Sequence, residues 1–101
     1  MILTRERSGE TIALHKGEQI GLSLPENPTT GYRWRFSVDG MDMADDGYAT
    51  DPESSIGGGG ARTVRLTAAR LGDAVVRATL QRSWEDPGKA VDRCEFHFKV
   101  S

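Results

Sequence analysis

The sequence predicts an all-β protein, an immunoglobulin-like antiparallel β-sandwich of about seven to eight strands. Three observations carry that expectation. Apolar and polar residues alternate at period two along most of the chain, no segment sustains a helical period for three turns, and breakers rich in Gly, Pro, Asn and Asp divide the alternating runs at sandwich spacing. Ile12 and Leu14 mark a short strand near the start. Ile20, Leu22 and Leu24 alternate with Gln19, Gly21 and Ser23, and then Tyr32, Trp34, Phe36 and Val38 with Arg33, Arg35, Ser37 and Asp39. Tyr48 and Ala49 mark a weak strand. Val64, Leu66 and Ala68 follow, then Val76, Ala78 and Leu80, then Cys94, Phe96, Phe98 and Val100, each run with polar partners between. One dry face and one wet face per strand is the pattern of half-buried antiparallel sheets. Trp34, between Tyr32 and Phe36, belongs to the core.

At 101 residues the expectation is one domain spanning residues 1–101. Lysine plus arginine is 13 and aspartate plus glutamate 15, a formal charge of −2, which argues against a partner that is nucleic acid or acidic lipid. The single cysteine, Cys94, excludes an internal disulfide and a multi-cysteine zinc site. Its inward phase with Phe96 and Phe98 marks a buried thiol rather than a nucleophile. No apolar stretch approaches the roughly 18 residues of a membrane span. The start reaches charge at Arg5, short of the roughly 7–15 apolar residues of a secretory signal. A cytoplasmic protein and an exported one whose leader has been removed both fit. Polar outward faces, with Arg33, Arg35, Arg93, Glu95 and Lys99, point to a monomer.

The connections alternate between the two ends of such a sandwich. In order they are 16–18, 25–31, 39–46, 50–61, 71–73 and 83–90. The second, fourth and sixth are long and rich in Gly and Pro, and they fall at one end, provided that the weak strand near Tyr48 exists. Tight turns occupy two of the three positions at the other end. Loops lengthened at one end of a rigid sandwich fit a binder.

The first long loop reads Asn27-Pro28-Thr29-Thr30-Gly31-Tyr32. By itself this is also an ordinary rigid connection, since Pro28 fixes its own backbone and holds Asn27 extended. The second contains Gly57-Gly58-Gly59-Gly60. A flexible interdomain linker is rejected, because residues 61–101 would form a three-stranded piece with one apolar face and no disulfide. A phosphate loop is rejected too, because no Lys-Ser/Thr follows and no helix opens there. The third begins Arg82-Ser83-Trp84-Glu85-Asp86-Pro87. Trp84 lies beyond the strand end, where it either caps the core or stands as an exposed anchor.

Together, in this order, the three segments resemble the chagasin-type inhibitors of papain-like cysteine peptidases. That family carries an Asn-Pro-Thr-Thr-Gly-Tyr/Phe loop, a Gly-x-Gly-Gly loop and an Arg-Pro-Trp loop. Here the first is complete, the second is matched by Gly57, Gly59 and Gly60 around Gly58, and the third has Ser83 in place of proline. The resemblance implies a wedge that occludes a papain-like cysteine peptidase cleft reversibly, competitively and without chemistry or cofactor. Residues 27–32 would be its central loop, with Thr29 closest to the catalytic pair and Thr30 beside it. The glycine loop would run along the non-primed side as an added strand. Trp84 would pack on the primed rim, with Arg82 ordering its loop or bonding to the enzyme.

Enzyme readings are poor. Ser83, His97 and Asp86 form a triad only on paper, because His15 and His97 sit at outward, solvated positions. No His/Cys/Asp/Glu group has metal-ligand spacing, and Asp42, Asp45 and Asp46 read as a solvated loop without the offsets of a calcium site. The alternative is an immunoglobulin-like adhesion or assembly module with no peptidase partner, binding through a sheet face or edge.

Overall fold

The computed structural model describes residues 2–27, 30–50, 60–82 and 87–101. Among these described residues eight strands run in chain order: β1 (Ile2–Thr4), β2 (Thr11–Leu14), β3 (Gln19–Glu26), β4 (Tyr32–Asp39), β5 (Asp42–Thr50), β6 (Gly60–Thr67), β7 (Gly72–Arg82) and β8 (Asp92–Val100). They form two four-stranded sheets, in the orders β1-β3-β6-β5 and β2-β8-β7-β4. The expected sandwich is present.

The period-two pattern sets what each strand buries. Ile20, Leu22 and Leu24 face Val64 and Leu66 within one sheet, and meet Trp34, Val76, Ala78, Phe96 and Phe98 of the other in one continuous core. Phe96 and Phe98 are almost wholly buried, each worth about 1.5–3 kcal/mol relative to exposure. Cys94 lies among them, 3 % exposed. Burial, the foremost influence on its thiol, pushes the pKa up, so it stays protonated.

Three expectations need correction. The sheets are not wholly antiparallel: β1 pairs in parallel with β3, and β2 with β8. The crossover between β1 and β2, through a 3-10 turn at Arg5–Arg7, carries the chain from an edge of one sheet to an edge of the other and reverses its direction, so that β1 runs with β3 and β2 with β8. The weak strand near Tyr48 is nine residues long, and β1 was not foreseen. Finally, Asp42, Asp45 and Asp46 are not a loop. They lie in β5, where a bulge between Ala44 and Gly47 shifts the register against β6. Asp45, at φ 56°, reaches Arg65 at 3.1 Å, while Asp46 reaches Arg62 at 2.8 Å. The third connection therefore shrinks to Gly40 and Met41.

Candidate loop-end binding site

Strand register fixes where the long connections emerge. Glu26 ends β3 opposite Gly60, which begins β6 and also faces Thr50 at the end of β5. In the other sheet Tyr32, the start of β4, lies opposite Arg82, the end of β7. Leu80 of β7 faces Asp92, the start of β8. The connections 27–31, 51–59 and 83–91 therefore leave from one end of the sandwich, which we term the loop end. At the opposite, narrow end lie 15–18, 40–41 and 68–71. The weak-strand condition on which the loop-parity argument rested is met by β5.

Of the candidate residues, Asn27, Thr30, Gly31, Tyr32, Gly60 and Arg82 are described; Pro28, Thr29, Gly57, Gly58, Gly59, Ser83 and Trp84 lie outside the described residues. Thr30 closes the first loop on itself. Its N–H and its hydroxyl both donate to the Asn27 carbonyl, at 3.2 and 2.8 Å, and its Oγ1 accepts the Tyr32 N–H at 3.3 Å. Gly31 sits at φ 79°, a region that side chains disfavour. Thr30 and Gly31 are exposed at the tip. The Arg82 guanidinium lies over the Tyr32 ring, 4.8 Å from its centroid, a cation–π contact of about 0.5–1 kcal/mol at such a partly exposed place. That contact ties the stem of the third loop to the first. Between the sheets a recess of about 440 Å³, largely apolar, opens among Pro25, Thr30, Tyr32, Gly60 and Leu80.

Beneath these stems lies a buried polar cluster that the sequence reading missed. Glu26 is 5 % and Arg62 8 % exposed, both at inward positions that apolar residues hold elsewhere on β3 and β6. Arg62 Nε donates to both Glu26 oxygens at 3.1 and 3.0 Å, Nη2 donates to Oε2 at 2.9 Å, and Nη1 donates to Asp46 Oδ1 at 2.8 Å. Glu26 Oε1 also accepts the Trp34 backbone N–H at 2.8 Å, and Trp34 Nε1 donates to the Pro25 carbonyl at 2.7 Å. The hydrogen bonds that Arg62 donates to Glu26 raise its pKa, outweighing the opposing effect of burial, and the bond to Asp46 adds to it. The guanidinium is thus held charged. The signal was available in the sequence: Glu26 and Arg62 share the phase of Leu24 and Val64.

Of the three groups weighed for catalysis only His97 is described. His97 is exposed and pairs with Glu95 at 2.9 Å. Ser83 and Asp86 lie outside the described residues.

A family model of the chagasin family peptidase inhibitors matches residues 13–100. Chagasin of Trypanosoma cruzi is 26 % identical over 106 aligned residues, covering 98 % of this chain and 96 % of that protein. Amoebiasin-1 of Entamoeba histolytica is 31 % identical over 86 residues, covering 83 % of this chain and 84 % of its own. Among solved structures, a cysteine protease inhibitor of Entamoeba histolytica superposes with a TM-score of 0.89 at 20 % identity, over 99 % of this chain and 94 % of that one.

Proposed function

This chain belongs to the chagasin family of peptidase inhibitors, which are not enzymes, and from that premise we propose that it inhibits papain-like cysteine peptidases reversibly and competitively. The observation that carries the reading is the convergence of three long connections at one end, while the narrow end has only short turns. In this reading residues 27–32 enter the cleft at the catalytic centre. Thr29 makes the closest approach and Thr30 lies beside it. A small-tipped loop with hydroxyls and no catalytic group fills a cleft without offering a scissile bond in register. Gly57 to Gly60 run along the non-primed side, where the lack of a Cβ lets two backbones pair as strands. Trp84 anchors the primed side, in the manner of aromatic hot spots. Arg82 serves by ordering its loop, and its position over Tyr32 supports that role.

The test is steady-state inhibition of papain by the purified chain, beside Thr29→Arg. The expected result is nanomolar inhibition that added substrate relieves, weakened at least a hundredfold by the arginine, which is too long for the cleft floor. A folded wild-type chain that leaves papain active at micromolar concentration would overturn the reading.

A further inference from the structure

We propose that the Asp46–Arg62–Glu26 cluster, with Arg62 and Glu26 buried and Asp46 exposed at its edge, is a positioning device for the inhibitory loops, a role that rests on the inhibitor reading above. Glu26 is the last residue of β3, next to Asn27, where the first loop begins. Its carboxylate holds the N–H of Trp34, two residues past Tyr32, where that loop ends. One side chain therefore bridges both stems of the first loop, and these stems belong to different sheets. The Trp34 indole repeats the bridge through the Pro25 carbonyl. Arg62 stands two residues past Gly60, on the exit stem of the second loop, and Asp46 stands on β5, the strand that leads into it. The guanidinium fork thus joins the second loop to the first. Arg82 over Tyr32 adds the third.

Apolar packing at these positions would close the end of the core equally well, but it is tolerant of sliding. A planar fork that satisfies two carboxylates has a narrow geometry and fixes the stems sideways as well as in separation. Buried ion pairs add little net stability over apolar replacements of like volume, whereas loss of one partner strands the other charge. The cluster's contribution is therefore order at the roots of the loops. Preordered loops lose less freedom when they enter a cleft.

The experiment replaces the pair by apolar residues of similar size, Glu26→Leu with Arg62→Met. The double variant is expected to melt cooperatively but below the wild-type temperature, because the Trp34 N–H loses its Glu26 acceptor while the buried charges are removed together. Its inhibition of papain should weaken about tenfold or more. Hydrogen exchange of the Thr30 and Gly60 amides should quicken by about tenfold, while Gly17 and Ala68 at the narrow end stay unchanged. Arg62→Lys, which keeps the charge but not the fork, should fall between on both readouts and serves if the double variant does not fold. Unchanged exchange at the loop end overturns the proposal, as does quickened exchange with undiminished inhibition. A wild-type chain that fails to inhibit papain removes the inhibitor reading, and with it the inhibitory role of the cluster; the exchange comparison then reports only whether the cluster orders the loops.

Discussion

At the narrow end the ladder of each sheet runs on by backbone into the connection: Gly17 N–H donates to the Ala68 carbonyl at 2.8 Å and Ala68 N–H to the Glu18 carbonyl at 2.9 Å beyond β3 and β6, and Lys16 N–H to the Ser101 carbonyl at 2.9 Å beyond β2 and β8. Gly17, Gly40 and Gly72 take positive φ in the turns there, at 89°, 84° and 107°. At the loop end the corresponding ties between stems run through side chains: the Glu26 carboxylate, the Trp34 indole, the Arg62 fork and Arg82 over Tyr32. Turns that close on backbone hydrogen bonds have no length to spare for a partner. An end that must present long loops cannot close in that way, so the order has to come from the side chains underneath. Narrow-end changes should therefore act on stability and loop-end changes on binding.

The largest expected effect lies at the narrow end. An added Cβ at Gly40 would stand 3.0 Å from the Ala74 Cβ and 3.2 Å from the Asp73 carbonyl oxygen, at a φ that side chains disfavour. Gly40→Ala should cost about 2–4 kcal/mol, a fall in Tm of roughly 10 °C or more, while the fraction still folded inhibits papain as the wild type does. A thermal melt beside a titration at low temperature checks it, and a variant that melts normally but inhibits poorly would break the division between the ends. The next effect is at the loop end and has the opposite sign. Ser83→Pro should restrict the free loop by about 0.4–1 kcal/mol, tightening inhibition about two- to fivefold with little change in Tm. Equal or weaker inhibition counts against it.

The smallest effect concerns the base of the third loop. Arg5 donates to both carboxylate oxygens of Asp92, at 2.6 and 2.5 Å, and foremost through that hydrogen bonding it holds the Asp92 carboxyl below its ordinary value of 3.8. A carboxyl lowered in the folded state adds stability above its unfolded pKa and loses it as pH falls through the lowered value. Asp92→Asn should thus lower the Tm at pH 7, and the gap should narrow as the pH falls below 3.8. A gap that persists unchanged in acid would show that the carboxylate charge is not its source.

Much of the fold was legible because one physical rule, the alternation of a half-buried strand, governs β3, β4 and β6 to β8 directly. It failed where the rule is interrupted. In β5 the bulge moves the inward position from Met43 to Tyr48, odd to even, so no single phase runs through the strand. The three residues of β1 are too few to show a period, and their parallel pairing with β3 depends on contacts distant in sequence. The three loop motifs were legible as a resemblance to a family, not as chemistry, and the shared end of their stems followed from strand parity. The support beneath was passed over: phase alone turns Glu26 and Arg62 inward with Leu24 and Val64, but charged residues at strand ends are ordinarily solvated, and phase does not say that the two meet. Only the register that sets Leu24 opposite Arg62 and Glu26 opposite Gly60 brings the two charges together.

The most direct test of the account is hydrogen exchange of the chain, free and in complex with papain. The account predicts protection at 27–32, 57–60 and 82–84, with the outer faces of both sheets exchanging as in the free chain. Protection spread over a sheet face, at Arg33 and Arg35 or at Thr63 and Arg65, with the loops left unchanged, would contradict it and favour a module that binds through its sheets.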